Sequence, residues 1–156
     1  MSRIRVTRLD GTVGELHAVA ELLTEYLAFY DRAHDHEEVL SFLQRRQERS
    51  ESLVFIAWHD DADQRSPIGV AQVYPTFSTL SLGEVWVLND LFVSPAMRGR
   101  AVGRCLVRAV CDDARQQDVT EVTLETHVEN HAARSLYGSE GFETDERFVH
   151  YSLALR

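Results

Sequence analysis

Apolar and polar residues recur along this chain with two periods, and each change of period marks a new element. Ile4 to Leu9 alternates as a strand and closes at the Asp10-Gly11 turn. Leu16, Val19, Ala20, Leu23, Tyr26, Leu27 and Tyr30 then fall on one helical face, predicting a helix from about Thr12 to Tyr30. Asp35 is placed to cap a second helix, with Glu37 and Glu38 in its first turn and Val39, Phe42 and Leu43 inward. Leu53 to Trp58 reads as a strand, Asp60 to Ser66 as a polar hairpin loop, and Ile68 to Phe77 as the returning strand. Val85 to Val93 is apolar on both faces apart from Asn89 and Asp90, the pattern of a central strand covered on both sides. Ser94-Pro95 ends it, because Pro95 has no ladder donor. A helix from about Ala101 to Gln117 carries the stripe Val102, Cys105, Leu106, Ala109 and Val110.

Thr120 to Thr126 alternates again, and a short helix from His131 to Ser139 follows its cap, Asn130. Gly141-Phe142 opens a last strand pair, with residues 147–154 as the terminal strand. The order β-α-α-β-β-β-α-β-α-β-β predicts a mixed α/β (α+β) fold in one domain, 1–156. Its mixed central sheet has about six to seven strands flanked by about four helices.

The junction after the central strand carries the first chemistry. Arg98-Gly99-Arg100-Ala101-Val102-Gly103-Arg104 is a turn of small residues and arginines that runs into a helix. Small residues admit a ligand close to the backbone, and the helix start adds unpaired N–H donors and the positive end of its dipole. A phosphate or pyrophosphate suits that combination. Neither G-x-G-x-x-G nor G-x-x-x-x-G-K-[ST] is present.

Composition narrows the partners. The 156 residues are 44% apolar and 26% charged, and the net charge of −9 disfavours nucleic acid while suiting a cationic small molecule. Cys105 and Cys111 lie six apart on one helix and point in different directions, which argues against pairing between them and suits a reduced, cytoplasmic protein. No signal peptide or long apolar run suggests a membrane partner. His34-x-His36 has no third ligand at a defined spacing, so no metal is expected.

A second pattern, Asn-x-x-Ala-x-x-x-Tyr-x-x-x-Gly-Phe, spans Asn130, Ala133, Tyr137, Gly141 and Phe142. Ala133 and Tyr137 share a helix face, and Gly141 sits where a helix end needs positive φ. Together the two patterns resemble the GNAT superfamily of N-acetyltransferases. Arg98-x-x-Ala101-x-Gly103 matches its acyl-CoA loop, Arg/Gln-x-x-Gly-x-Gly/Ala, with Ala101 where glycine is usual. The element order is also the family's, so the resemblance covers nearly the whole chain. The segments Tyr74 to Ser78 and Asn89 to Val93 look like the HPA2-like branch of that family.

What the resemblance implies is an acetyl-CoA-dependent N-acetyltransferase and a homodimer. Arg98, Gly99, Arg100, Ala101, Val102, Gly103 and Arg104 would bind the pyrophosphate. Leu91, Phe92, Val93, Asn130 and Ala133 would hold the pantetheine arm, with the backbone near Leu91 to Val93 serving the oxyanion. Tyr137 would protonate the leaving thiolate, and no covalent enzyme intermediate is needed. An amine with an ordinary pKa near 10 pays about 4 kcal/mol to present its lone pair at neutral pH, so a base is required. Asp90, an acid in an apolar strand, is the first candidate, and Glu84, acting through water, is the alternative. Tyr30, Asp31, Asn89 and Asp90 are the candidate substrate contacts. The acceptor would be a small cationic primary amine of polyamine or amino-acid type. A protein lysine or N-terminal acetyltransferase and a non-catalytic acyl-CoA-binding module are the alternatives.

Overall fold

The alternating segments assemble in chain order into one ladder. In a computed structural model, which describes residues 3–61 and 64–156, β1 (Arg3–Arg8), β2 (Leu53–Asp61), β3 (Gln64–Ser78) and β4 (Gly83–Val93) pair antiparallel. β5 (Glu121–Leu124) then adds to β4 in parallel, giving the order β1-β2-β3-β4-β5. The hairpin between β2 and β3 is tighter than its polarity suggests, since Asp60 pairs with Arg65 and Asp61 with Gln64. Backbone pairing tolerates polar side chains here, and Arg5 holds Asp60 from β1 at 3.2 Å. Ala62 and Asp63 of the expected loop lie outside the described residues.

Period two sends neighbouring residues to opposite faces, and the two cores follow from it. Val54, Ile56, Trp58, Val70 and Phe92 pack with apolar residues of α1 (Val13–Phe29) and α2 (His36–Glu48). The other face receives α3 (Val102–Gln116), whose Val102, Leu106, Val107 and Val110 are buried. Gly69 marks the closest approach on that side. A Cβ there would stand 2.9 Å from the Phe92 carbonyl and 3.2 Å from Leu106 and Val102 side chains.

Helix ends follow from local chemistry. Asp35 and Glu38 form a capping box at the start of α2, as the sequence predicts. At the end of α1, Asp31 takes φ +55° and the Arg32 N–H bonds the Leu27 carbonyl, a Schellman closure with aspartate in the glycine position.

Contacts group the chain into two compact units: Met1–Glu125, holding the sheet and α1 to α3, and Thr126–Arg156, holding α4 (His131–Ser139). The expected strand pair after Gly141 is not formed, so the described sheet has five strands rather than six or seven. The reason is local. Asp145 accepts the backbone N–H groups of Arg147 (2.8 Å) and Phe148 (3.4 Å), a side-chain turn that competes with an extended ladder. Phe148, Val149, Tyr151, Leu153 and Leu155 beyond it are exposed. No described helix is long and apolar enough to cross a membrane.

Candidate active site

β4 changes character at its middle. Leu88 pairs with Val73 and Asp90 with Gln72, so Asn89 is an extra residue without a partner on β3, a β-bulge. The parallel ladder to β5 ends at the same point, with Leu88 against Leu124. Beyond Leu88 the edge of β4 that faced β5 has no ladder partner among the described residues. The segment carrying Leu91, Phe92 and Val93 therefore keeps backbone groups on that edge available to a ligand.

Next to the bulge, Asp90 lines a cavity of about 680 Å³ between α1, α2, β3 and β4. Tyr26, Phe42 and Tyr74 give it aromatic walls, and Glu37 and Glu38 stand at the α2 end. Asn89 Nδ2 donates to Asp90 Oδ2 at 2.9 Å, and Tyr26 also hydrogen-bonds the carboxylate. Burial nevertheless dominates and pushes the Asp90 pKa above its ordinary 3.8. Tyr74 is likewise raised, first by burial and further by the Asp90 charge. A carboxyl with a raised pKa in a pocket of organic-ligand size is chemically able to accept a proton from a bound ligand.

Glu84 lies at the opposite end of β4, roughly 20 Å along the strand. Its Oε1 accepts the indole N–H of fully buried Trp86 at 2.7 Å, and its carbonyl accepts from Thr120 N and Oγ1. Tyr30 and Asp31 do not line the cavity. Tyr30 is 53% exposed and packs edge-on against Tyr26, with ring centroids 5.0 Å apart. Asp31 serves the turn that ends α1. His34 pairs with Glu38, and His36 stacks on His17.

The turn after β4 begins with a 3-10 segment, Pro95–Met97. Arg98 Nε then donates to the Val93 carbonyl at 3.1 Å, while its guanidinium lies over the rings of Phe29 and Phe92. That contact ties the loop to the end of β4. Gly99 has φ +75° and open space where a Cβ would stand. Ala101 has φ +62° and caps α3 without a side-chain hydrogen bond. The first intrahelical bond is Cys105 N–H to Ala101 carbonyl, so the N–H groups of Val102 and Gly103 precede it.

The left-handed φ explains why glycine suits the position of Ala101. Ala101→Gly relieves about 0.5–1 kcal/mol once the added freedom of the unfolded chain is subtracted. Thermal unfolding should show Tm higher by about 1–4 °C. A lower Tm would mean that the methyl group contributes packing that outweighs the strain.

In the second unit, Asn130 Oδ1 accepts the Ala133 N–H at 3.2 Å and starts α4. Gly141 has φ +92°. The N–H groups of Gly141 and Phe142 return to the Gly138 and Tyr137 carbonyls, at 3.1 and 3.0 Å. The Tyr137 and Phe142 rings meet edge-to-face at 5.9 Å, completing the Schellman motif. The spacing from tyrosine to Gly-Phe is thus a helix-ending device that also fixes the Tyr137 ring.

A family model described as "Acetyltransferase (GNAT) family" matches residues 16–142. The chain belongs to the GNAT family of acetyltransferases. It is 41% identical over 136 residues to "Uncharacterized N-acetyltransferase YhfO" of Bacillus subtilis (strain 168), covering 87% of this chain and 89% of that one. A "Probable acetyltransferase" of Haemophilus influenzae is 26% identical over 143 residues, 90% of this chain and 92% of its own. A crystal structure of a probable acetyltransferase superposes with a TM-score of 0.88 at 32% identity, covering 97% and 98% of the two chains. A solved aminoglycoside N-acetyltransferase in complex with CoA shares the fold, with a TM-score of 0.77 at 21% identity over 98% and 96%.

This GNAT chain is an acyltransferase whose donor is acetyl-CoA. Its residues fit that donor. The uncapped start of α3, the left-handed Ala101 and the open space at Gly99 leave room and N–H donors for phosphate oxygens. The edge of β4 after Leu88, without a ladder partner among the described residues, offers backbone partners for amide groups.

The first unit brings Asp90, Asn89, the edge Leu91 to Val93 and the loop Arg98 to Arg104 to one end of β4. Tyr26, Glu37, Phe42, Gln72 and Tyr74 of the cavity went unseen as site residues in the sequence. Tyr26 and Phe42 occupy apolar helical positions indistinguishable from core. Gln72 offered one signal, an amide in an otherwise apolar strand.

Proposed function

We propose that this enzyme N-acetylates the primary amine of a small cationic metabolite, of polyamine or amino-acid type, seated in the cavity beside Asp90. The observation that carries the reading is the Asp90 carboxyl, with its raised pKa, at the point where β4 leaves β5 and the acceptor cavity begins. Cavity charge supports a cation. Asp35, Glu37, Glu38 and Asp90 line it against Arg45 and His34.

Acetyl-CoA supplies the activated acetyl thioester. Asp90 takes a proton from the acceptor's ammonium group, freeing the nitrogen lone pair for attack. Asp90 is preferred to Glu84 because it lies in the cavity, whereas Glu84 holds Trp86 far along the strand. Backbone groups of Leu91 to Val93, with Asn130 and Ala133, position the pantetheine arm. Arg98 to Arg104 hold the pyrophosphate. Tyr137 donates a proton to the departing sulfur and regains one from solvent, while the nitrogen gains the acetyl group and sheds its second proton to become the amide as free thiol leaves.

Thiol release with primary amines, compared between wild type and Tyr137→Phe, tests the scheme. Turnover should fall about 10²-fold or more while acetyl-CoA affinity stays within about twofold. Equal loss of binding and turnover would remove Tyr137 from the role of acid.

A further inference from the structure

Gln72 is 1% exposed, lies directly across the ladder from Asp90 and lines the same cavity. Its Nε2 donates to the Tyr74 hydroxyl at 2.7 Å, which fixes the carboxamide plane. Its Oε1 has no hydrogen-bond partner. An acceptor buried without a donor is unfavourable, and most buried polar atoms in native proteins are satisfied. The neighbouring Asp90 carboxylate accepts from Asn89 and Tyr26 and has no hydrogen to donate, so it does not meet the need. The missing donor fits a group brought in by a ligand.

We propose that Gln72 is the residue that makes the acceptor pocket selective for amines over alcohols, its Oε1 accepting one N–H of the acceptor nitrogen while Asp90 accepts another. The inference rests on the amine-acetylating reading and adds to it a residue for specificity. A primary ammonium group carries three N–H donors. After one proton passes to Asp90, the neutral amine still has two N–H bonds and one lone pair. Anchoring one N–H on Gln72 restricts rotation about the C–N bond and so orients that lone pair. An alcohol of the same shape has a single O–H. Once that proton is engaged by Asp90, nothing remains for Gln72, and the buried oxygen stays unpaired. Sites built to bond a specific N–H or O–H discriminate strongly against analogues that lack it.

The test uses the 156-residue protein and a matched pair of probes, 2-phenylethylamine and 2-phenylethanol, whose rings suit the Tyr26, Phe42 and Tyr74 walls. Binding is measured by calorimetry, with thiol release from acetyl-CoA followed in parallel. Wild type should bind the amine at least tenfold tighter than the alcohol. Gln72→Met, similar in shape but without the acceptor, should weaken amine binding roughly tenfold to a hundredfold and leave alcohol binding unchanged. Equal affinities of wild type for the two probes, or an amine affinity unchanged in Gln72→Met, would overturn the assignment. Equal losses for both probes would do the same, since they would indicate a merely structural role. If Gln72→Met does not fold, Gln72→Glu carries the test, because it keeps an acceptor oxygen in place. A folded Gln72→Glu protein should keep the preference for the amine, and its loss would overturn the assignment. Amine binding that depends on Gln72 but yields no thiol release would uphold this role and refute acetyl transfer instead.

Discussion

Asp90→Asn should cost this enzyme about 10²–10⁴ in kcat/KM for amine acceptors and at the same time raise its thermal stability at neutral pH. The first effect follows because asparagine cannot accept the proton that frees the attacking lone pair. The second follows from linkage. Burial lifts the folded-state pKa of Asp90 above its ordinary 3.8, so the folded protein holds that proton more tightly than the unfolded chain. The stabilisation this gives is fully present below the unfolded pKa and is lost as pH rises through the folded pKa. At neutral pH the partly buried carboxylate is therefore a destabilising charge, and its neutral isostere removes it. The Tm advantage of Asp90→Asn should shrink as pH falls toward 4. Activity has the opposite sign, since the wild-type rate should climb with pH through the raised pKa and the variant should lack that limb. A variant that lost activity and stability together at neutral pH would show Asp90 to be a structural acid.

Gly103→Glu should separate folding from donor binding at the other end of the site. Gly103 is the second residue of α3, within the run of N–H groups that precede the first intrahelical bond. A carboxylate there faces the positive end of the helix dipole, and replacing a helical glycine adds further stability. Tm should hold or rise. Acetyl-CoA affinity should fall by about 100-fold or more, because the new charge repels the pyrophosphate and the side chain competes for the same N–H groups. Calorimetry with acetyl-CoA reads the second effect and thermal unfolding the first. Unchanged affinity in a folded variant would move the pyrophosphate away from this turn.

Much of the scaffold was legible because its signals are local. Periodicity marked the strands through β5 and the four helices, and the caps at Asp35 and Asn130 fell where short polar side chains precede helical patterns. The polar pair Asn89-Asp90 stood out in an apolar strand, yet period two alone could not show that Asn89 is a bulge; that depends on the register with Gln72 and Val73. The cavity was illegible for a related reason. It arises where α1 and α2 stand over β3 and β4, and Tyr26 keeps the helical spacing of the core residues around it. Ala101 stands out in the sequence as alanine where the family has glycine, and its left-handed φ makes the difference one of backbone conformation. The C-terminal alternation misled because the turn built by Asp145 overrides a weak strand preference.

The central claim is that acetyl transfer to a primary amine takes place beside Asp90. Steady-state thiol release from acetyl-CoA over a panel of polyamines, amino acids and arylalkylamines, with product mass measured alongside, tests it most directly. The account predicts amine-dependent release, one acetylated amine per free thiol, and loss of that signal in Asp90→Asn. Release at the same rate without any amine, or full amine turnover by Asp90→Asn, would contradict it.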